Sequence, residues 1–462
     1  MGILRREAGG PAPARSASDD DTHVRGVRTP AAAGRGHRTR AARRVRPAVA
    51  AGLALAAVTA GGTGLTGCAG GAGSGDGTVT VMTWAPENDG ADSHVGMPAL
   101  AEAIGKSLAD SGGLDGHPVK VETCNEKNTA AGAAACADRA VSDQVVAVVG
   151  SYSQYGSTFL PTLEAAGIPY IGGYGVTPDE FTSPISYPVN GGTPALLAGA
   201  GQQLASAGCE RVALVRPDNE AGDTMPAFLA AGLGPSIPLK DLPTAPGQTD
   251  YTSVASEAIG DDASGSCVLG ALDAGSMVTF YDSFRRLNHR QTQLAALLGA
   301  FQQSLVDSEG GANGPLEGAL ATGWYPPDSS PVWNGLHDLV KKYAFTDNRI
   351  DTQDPDVQTT WVAYQVLESV VGRIKGPVTA KSVRIAFDET GPVSTGGATP
   401  PLSWQDKDLL ASSVVPRAVD TEVTFQIVAD GQLSDERKGL VDVRDALVSV
   451  KGANSASSVT IG

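Results

Sequence analysis

SGGLDGHPVKVETCNEKNTAAGAAACADRAVSDQVVAVVGSYSQYGSTFLPTLEAAGIPYIGG, residues 111–173, is the stretch that decides the fold. PVKVETC, residues 118–124, is rich in β-branched residues and reads as a strand. Ala130 to Ser142 carries small apolar residues at helical spacing, and Val145 to Gly150 (VVAVVG) is a short continuous apolar run, a buried strand. A second helix is expected from Phe159 to Ala166 and a further short strand from Ile168 to Ile171. Outward on the N-terminal side, TVTVMTW (residues 78–84) gives a strand and Met97 to Ser111 a helix. Strands that are apolar throughout, alternating with amphipathic helices, form a parallel sheet covered on both faces.

Beyond GGYGVTPDEFTSP (residues 172–184), which has a loop composition, the alternation restarts. Helices are expected over Ala195 to Ala207, Asp223 to Gly232, Tyr251 to Ile259 and Met277 to Leu287. The strands between them are RVALVRP (211–217), SCVLGAL (266–272), QLAALLGAF (293–301) and GALATGWYP (318–326). Helices over Val332 to Tyr343, Thr359 to Arg373 and Ala380 to Phe387 follow, and TEVTFQIVADGQLSD (421–435) closes as a hairpin turning at Asp430-Gly431. Roughly 385 residues from Thr78 onward suit two α/β lobes better than one.

The N-terminus is of another kind. Arg38, Arg40, Arg43, Arg44 and Arg46 precede an apolar run from Ala48 to Leu65 that ends in Leu65-Thr66-Gly67-Cys68. A basic flank, a short apolar stretch and small residues form an export signal, too short and glycine-rich for a stable transmembrane helix. The last four residues resemble the bacterial lipobox, which implies a diacylglycerol-modified Cys68 as the mature N-terminus and attachment to the outer face of a membrane. Arg43-Arg44 leaves Sec and Tat export both open, and initiation near Val24 or Val27 would give a signal of ordinary length. Ala69 to Gly77, AGGAGSGDG, is a flexible tether.

Of the 34 Lys/Arg and 50 Asp/Glu in the chain, the first 67 residues hold 11 and 4, so the remainder has a formal charge of −23. Such a surface repels phosphate backbones and argues against nucleic-acid partners. With Cys68 lipidated, Cys124, Cys136, Cys209 and Cys267 are left, an even number in an oxidising compartment, which points to two disulfides. Order along the chain suggests Cys124 with Cys136 and Cys209 with Cys267, although four cysteines allow three pairings. No CxxC occurs and His94, His117, His289 and His337 are scattered, so no metal site is expected.

The order of these pieces resembles the leucine/isoleucine/valine-binding family of type I periplasmic substrate-binding proteins over most of residues 78–430. GGLDGHPVKV is similar to that family's glycine-rich turn into its second strand, VVAVVGSYSQYGS to its third strand and serine-rich ligand loop, and AAGIPYIGG to its fourth strand. RVALVRPDNEAGDTM and GPLEGALATGWYPP continue the match. The resemblance implies an α/β fold of two Rossmann-like lobes with parallel sheets, joined by a three-strand hinge. Composition assigns residues 1–67 to a signal with a disordered basic extension and 68–77 to the lipidated cysteine and tether. Lobe 1 would then comprise 78–191 and 320–395, and lobe 2 192–319 and 396–462. The resemblance further implies a monomer without cofactor, a small-molecule ligand, and an ABC permease as the membrane partner.

In open α/β sheets ligands bind beyond the carboxyl ends of the strands. That rule places Ser151, Ser153, Gln154 and Tyr155 near the cleft, with Tyr174 and Gly175 from the following loop and Trp84 at the end of the first strand. The second lobe would add Thr193, Asp218, Asn219, Asp273, Phe301 and Gln302. Each has an ordinary alternative: a Ser/Gly loop is a turn or cap, Asp218 and Asn219 cap the next helix, and Trp84 belongs to the core. The resemblance also departs at the ligand. Family members that bind amino acids hold the ammonium with second-lobe carboxylates, where this chain has Thr193-Pro194 and Ala300-Phe301-Gln302, and their Tyr-Gly pair is Ala221-Gly222. A branched-chain amino acid would therefore require Asp273 or Glu220 to hold the cation.

Three classes of function follow: a lipid-anchored solute-binding protein, a sensor lipoprotein of the same fold, and an extracytoplasmic hydrolase. Against the last, the exported part contains no G-x-S-x-G, no HExxH and no His/Asp pair close to a nucleophile in sequence.

Overall fold

The computed structural model describes residues 77–87, 93–245, 247–261, 264–287 and 291–451. The signal, Cys68 and all but the last residue of the tether lie outside them. The first sheet is built from β1 (Val79–Ala85), α1 (Gly96–Ser111), β2 (Val119–Asn125), α2 (Ala130–Ser142), β3 (Ala147–Val149), α3 (Gly156–Ala166), β4 (Tyr170–Ile171) and β5 (Ser186–Tyr187). Its order is β2-β1-β3-β4-β5 with every pairing parallel. All seven residues of β1 are buried, which is why the strand is apolar on both faces. Thr129 starts α2 by accepting the Gly132 N–H at 3.0 Å, and Gly132 has no room for a Cβ because it would run into the Glu126 carbonyl.

The second sheet takes α4 (Gly192–Ser206), β6 (Arg211–Pro217), α5 (Glu220–Leu233), β7 (Leu239–Thr244), α6 (Thr252–Ile259), β8 (Ser266–Gly270), α7 (Ala274–Arg286), β9 (Gln293–Leu297), α8 (Gln303–Ser308) and β10 (Leu320–Gly323). The chain then returns to the first lobe: α9 (Asn334–Tyr343) and α10 (Pro355–Val371) pack on α1, and α11 (Ala380–Glu389) packs on α10. It crosses back to add β11 (Glu422–Ala429), β12 (Gln432–Asp442) and α12 (Arg444–Ser449). The order is β12-β11-β10-β9-β8-β6-β7, with only the β10–β11 and β11–β12 pairings antiparallel. Strand order reverses between β1 and β3 in one sheet and between β6 and β8 in the other, the two switch points at which α/β sheets open a crevice. The lobes are joined by three crossings, at 188–191, 324–330 and 390–421.

Two segments sit differently from the expected lobe boundaries. Leu320–Gly323 pairs between β9 and β11 in the second sheet, so the crossing follows Gly323. Residues just beyond 395 stay on the first lobe: the Trp404 indole donates to Pro188 O at 2.9 Å and Arg417 Nε to Ser186 O at 2.7 Å. Strands β5 and β7 and helices α8 and α12 were not expected, α4 begins three residues early, and β9 ends at Leu297 instead of running to Phe301. Both disulfides are present with the expected partners, Cys124 to Cys136 and Cys209 to Cys267, each with Cα atoms 5.8 Å apart. The β11–β12 turn is Asp430-Gly431, with φ of 52° and 73°, as a tight hairpin requires.

Asp420 lies on the third crossing, 1 % exposed, its carbonyl against Gly191 of the first crossing. Glu422 N–H donates to its Oδ1 at 2.9 Å, and Oδ2 has no hydrogen-bond partner among the described residues. Burial, together with the Glu422 and Asp442 carboxylates, pushes its carboxyl up to about 8 from 3.8. The folded state therefore keeps this proton while the unfolded chain loses it, so this group's contribution to stability is full below the unfolded value and falls as pH climbs from 3.8 to about 8. Asp420→Asn should flatten that slope and be the more stable form at alkaline pH, by on the order of a few kcal/mol, in urea melts across pH. An unchanged slope would refute the assignment.

Candidate functional site

In the first lobe the hydroxyls expected at the cleft bind the loops to one another. Ser151 Oγ accepts the Trp84 N–H at 3.0 Å, and its carbonyl takes the Tyr174 N–H at 3.0 Å and the Tyr170 hydroxyl at 3.1 Å. Ser153 Oγ donates to Glu126 Oε2 at 2.8 Å and accepts the Tyr155 N–H at 3.1 Å. Gln154 Nε2 donates to Asn128 Oδ1 (3.3 Å) and the Tyr155 hydroxyl to Asn128 O (2.8 Å). Glu180 collects the N–H groups of Gly175, Val176 and Thr177 at 2.9–3.0 Å. Burial still pushes its carboxyl up to about 7, against those donors, which favour the charged form. Trp84 lies in the core among Ala137, Phe159 and Tyr170, with no exposed surface.

An aromatic row crosses the strand ends. His94 stacks on Tyr152 with ring centroids 3.6 Å apart and pairs with Asp356; Tyr152 lies 5.3 Å from Tyr174, and Tyr174 meets Trp324 edge-on at 4.8 Å. The Trp324 indole donates to Gly192 O at 3.0 Å, which fixes the row to the start of α4. Tyr174 is where the lobes touch: its hydroxyl occupies the space that a Cβ on Gly299 would need, and Gly299, at φ 104°, is in the region glycine favours. Thr193, in the first turn of α4 instead of a strand-end loop, donates its N–H to Gly175 O at 2.9 Å.

The structure thus brings together Tyr174, Gly175, Thr193 and the loop Gly299–Gln302. The remaining second-lobe candidates serve their own helices. Asn219 caps α5 by accepting the Gly222 N–H at 2.8 Å, and Asp273 caps α7 by accepting the Ser276 N–H at 2.8 Å. Asp218 gives its N–H to Thr244 O, and among the described residues no hydrogen bond or ring contact joins these three to the first lobe. Phe301 is fully buried in the second-lobe core, and Gln302 Nε2 donates to Gly299 O at 3.1 Å.

Beside this contact lies a cavity of about 410 Å³. Leu298, Phe301 and Gln302 form one side of it, Trp324 to Ser329 of the second crossing another, and Gln353, Pro355 and Gln358 at the start of α10 face them. Gln426, Gln432 and Ser434 of the hairpin complete it. It shares Phe301 and Gln302 with the expected site and none of the expected first-lobe residues. Tyr152, Trp324 and Gln358 went unnoticed in the sequence, and His94 was weighed there only as a metal ligand. The loop composition of SYSQY could have suggested Tyr152, whereas nothing local marks Gln358, which sits in a helical pattern.

Two lobes of parallel sheet, joined by three crossings with strand-end loops meeting between them, define a hinged binding protein. The chain belongs to the periplasmic binding protein family, whose model matches residues 88–412. It is similar in structure to a leucine-binding protein from Thermotoga maritima (16% identity, TM-score 0.61, covering 79% of this chain and 99% of that one). It is also similar to a branched-chain amino acid ABC transporter protein from Thermus thermophilus with bound valine (13%, 0.66, 80% and 97%). A third is an ABC-transporter solute-binding protein from R. palustris in complex with benzoate (17%, 0.62, 79% and 97%). No curated protein sequence matches the chain.

Proposed function

We propose that this chain is an extracytoplasmic, lipid-anchored solute-binding protein that captures a small polar or amphipathic molecule between its lobes and delivers it to an ABC permease. The observation that carries the reading is the meeting of Tyr174 with Gly299 across the lobes, beside a cavity lined from both. Capture needs no covalent chemistry: a ligand that contacts both lobes shifts the balance between open and closed forms by its differential affinity. Benzoate and valine, found in two similar structures, fit the scale of such a site, and the Leu65–Cys68 sequence supports anchoring.

One preparation tests both parts. Wild-type protein from membranes of its host should carry lipid on Cys68 and retain a small molecule in native mass spectrometry, whereas Cys68→Ala should lose the lipid and keep the ligand. Equal lipid labelling of the two forms would refute the anchor. Absence of any retained mass, together with no thermal shift from amino acids, amides, aromatic acids or sugars, would refute capture, since ligand at a hundred times its Kd adds about 2.7 kcal/mol.

A further inference from the structure

Six glutamines, at positions 302, 303, 353, 358, 426 and 432, line the cavity between α10 and the β11–β12 hairpin. Gln303 is committed to the hairpin, donating to Gly431 O at 2.9 Å and accepting the Leu433 N–H at 2.8 Å. Gln358 and Gln426 differ. They are only 4 % and 3 % exposed, and each uses its amide nitrogen alone on protein: Gln358 on Thr352 O at 2.9 Å, Gln426 on Thr424 Oγ1 at 3.3 Å and Tyr325 O at 3.4 Å. Their Oε1 atoms accept nothing among the described residues, and both residues line the cavity. A ligand N–H or O–H in the cavity would supply the donor that the protein does not.

Charge around the cavity points the same way. Among the described residues of the lining one side chain is formally charged, Asp328, whose carboxylate already takes His337 Nε2 at 2.8 Å. The lining thus offers no cationic side chain to an anion, while Leu298, Pro326 and Pro327, each half-buried, offer an apolar wall. The volume lies within the range of small-molecule sites. Building on the solute-capture reading, we infer that this cavity binds a neutral molecule of mono- to disaccharide size, which donates hydroxyl or amide hydrogens to Gln358 and Gln426 and lays its apolar face on Pro326 and Pro327.

Isothermal titration with maltose and N-acetylglucosamine as neutral probes, and leucine and benzoate as charged ones, tests this. A neutral probe should bind, and about 0.5 M salt should change its affinity by no more than about twofold, because no ion pair is made. Gln358→Met should weaken it about tenfold. Ser434→Phe, which fills the cavity from the hairpin and leaves α10 intact, should weaken it on the order of a hundredfold. Binding of leucine or benzoate alone, with both variants unchanged, would overturn the cavity assignment and leave solute capture standing. A neutral probe indifferent to both variants would overturn it too, as would binding of none of the four. Solute capture itself stands or falls separately, on the mass retained by protein from its host.

Discussion

Replacing both Cys209 and Cys267 by alanine should lower the unfolding free energy by about 4 kcal/mol, the loop-closure value for a bridge across 58 residues. The same change at Cys124 and Cys136, 12 residues apart, should cost about 3 kcal/mol. The first bridge joins the chain just before β6 to β8, neighbouring strands of the second sheet, and so encloses β6, α5, β7 and α6 in one loop. Without it the unfolded chain regains the freedom of that whole loop. Both sulfurs also sit in residues that are at most 5 % exposed, so alanine removes packing as well. Urea unfolding of the two double variants, after non-reducing peptide mapping of the parent, decides the matter. A larger loss at the shorter bridge, or free thiols at 209 and 267 in exported protein, would contradict the expectation.

What the sequence disclosed depended on where the information lay. Arg211–Pro217 and Ala130–Ser142 were readable to the residue because VALV is a continuous apolar run and because small apolar residues recur at helical spacing. β7, LKDLPT, was missed because it is the edge strand of its sheet, and four of its six residues are half-buried or exposed. Its apolar content need not exceed that of a loop. The serine-rich turn after β3 was readable as a loop at a strand end, but not the partners of its hydroxyls. Ser153 is held by Glu126, 27 residues earlier, and only the adjacency of the loops after β2 and β3 brings them together. The cavity was the least legible part. Gln358 faces it because the second crossing carries α10 back across the first lobe, a consequence of topology that no window around residue 358 contains.

Trp84 is the residue on which core and pocket readings part most sharply. Trp84→Ala should destabilise the protein by about 3–5 kcal/mol, the usual cost of emptying a large aromatic site, without altering ligand affinity per folded molecule. The indole has no exposed surface; Phe159 meets it edge-on at 5.2 Å and Tyr170 lies 6.0 Å away. Its role at the strand end is carried by the main chain, through the N–H that Ser151 Oγ accepts and the carbonyl that takes the Tyr152 N–H, and any side chain preserves both. The indole Nε1 is buried with no hydrogen-bond partner among the described residues. Trp84→Phe therefore loses volume but also removes an unsatisfied donor, and should cost well under half as much as the alanine variant. Urea unfolding of both variants beside a titration of the retained ligand tests the argument. A Trp84→Ala protein of near wild-type stability with weakened ligand binding would place the ring in the pocket wall after all.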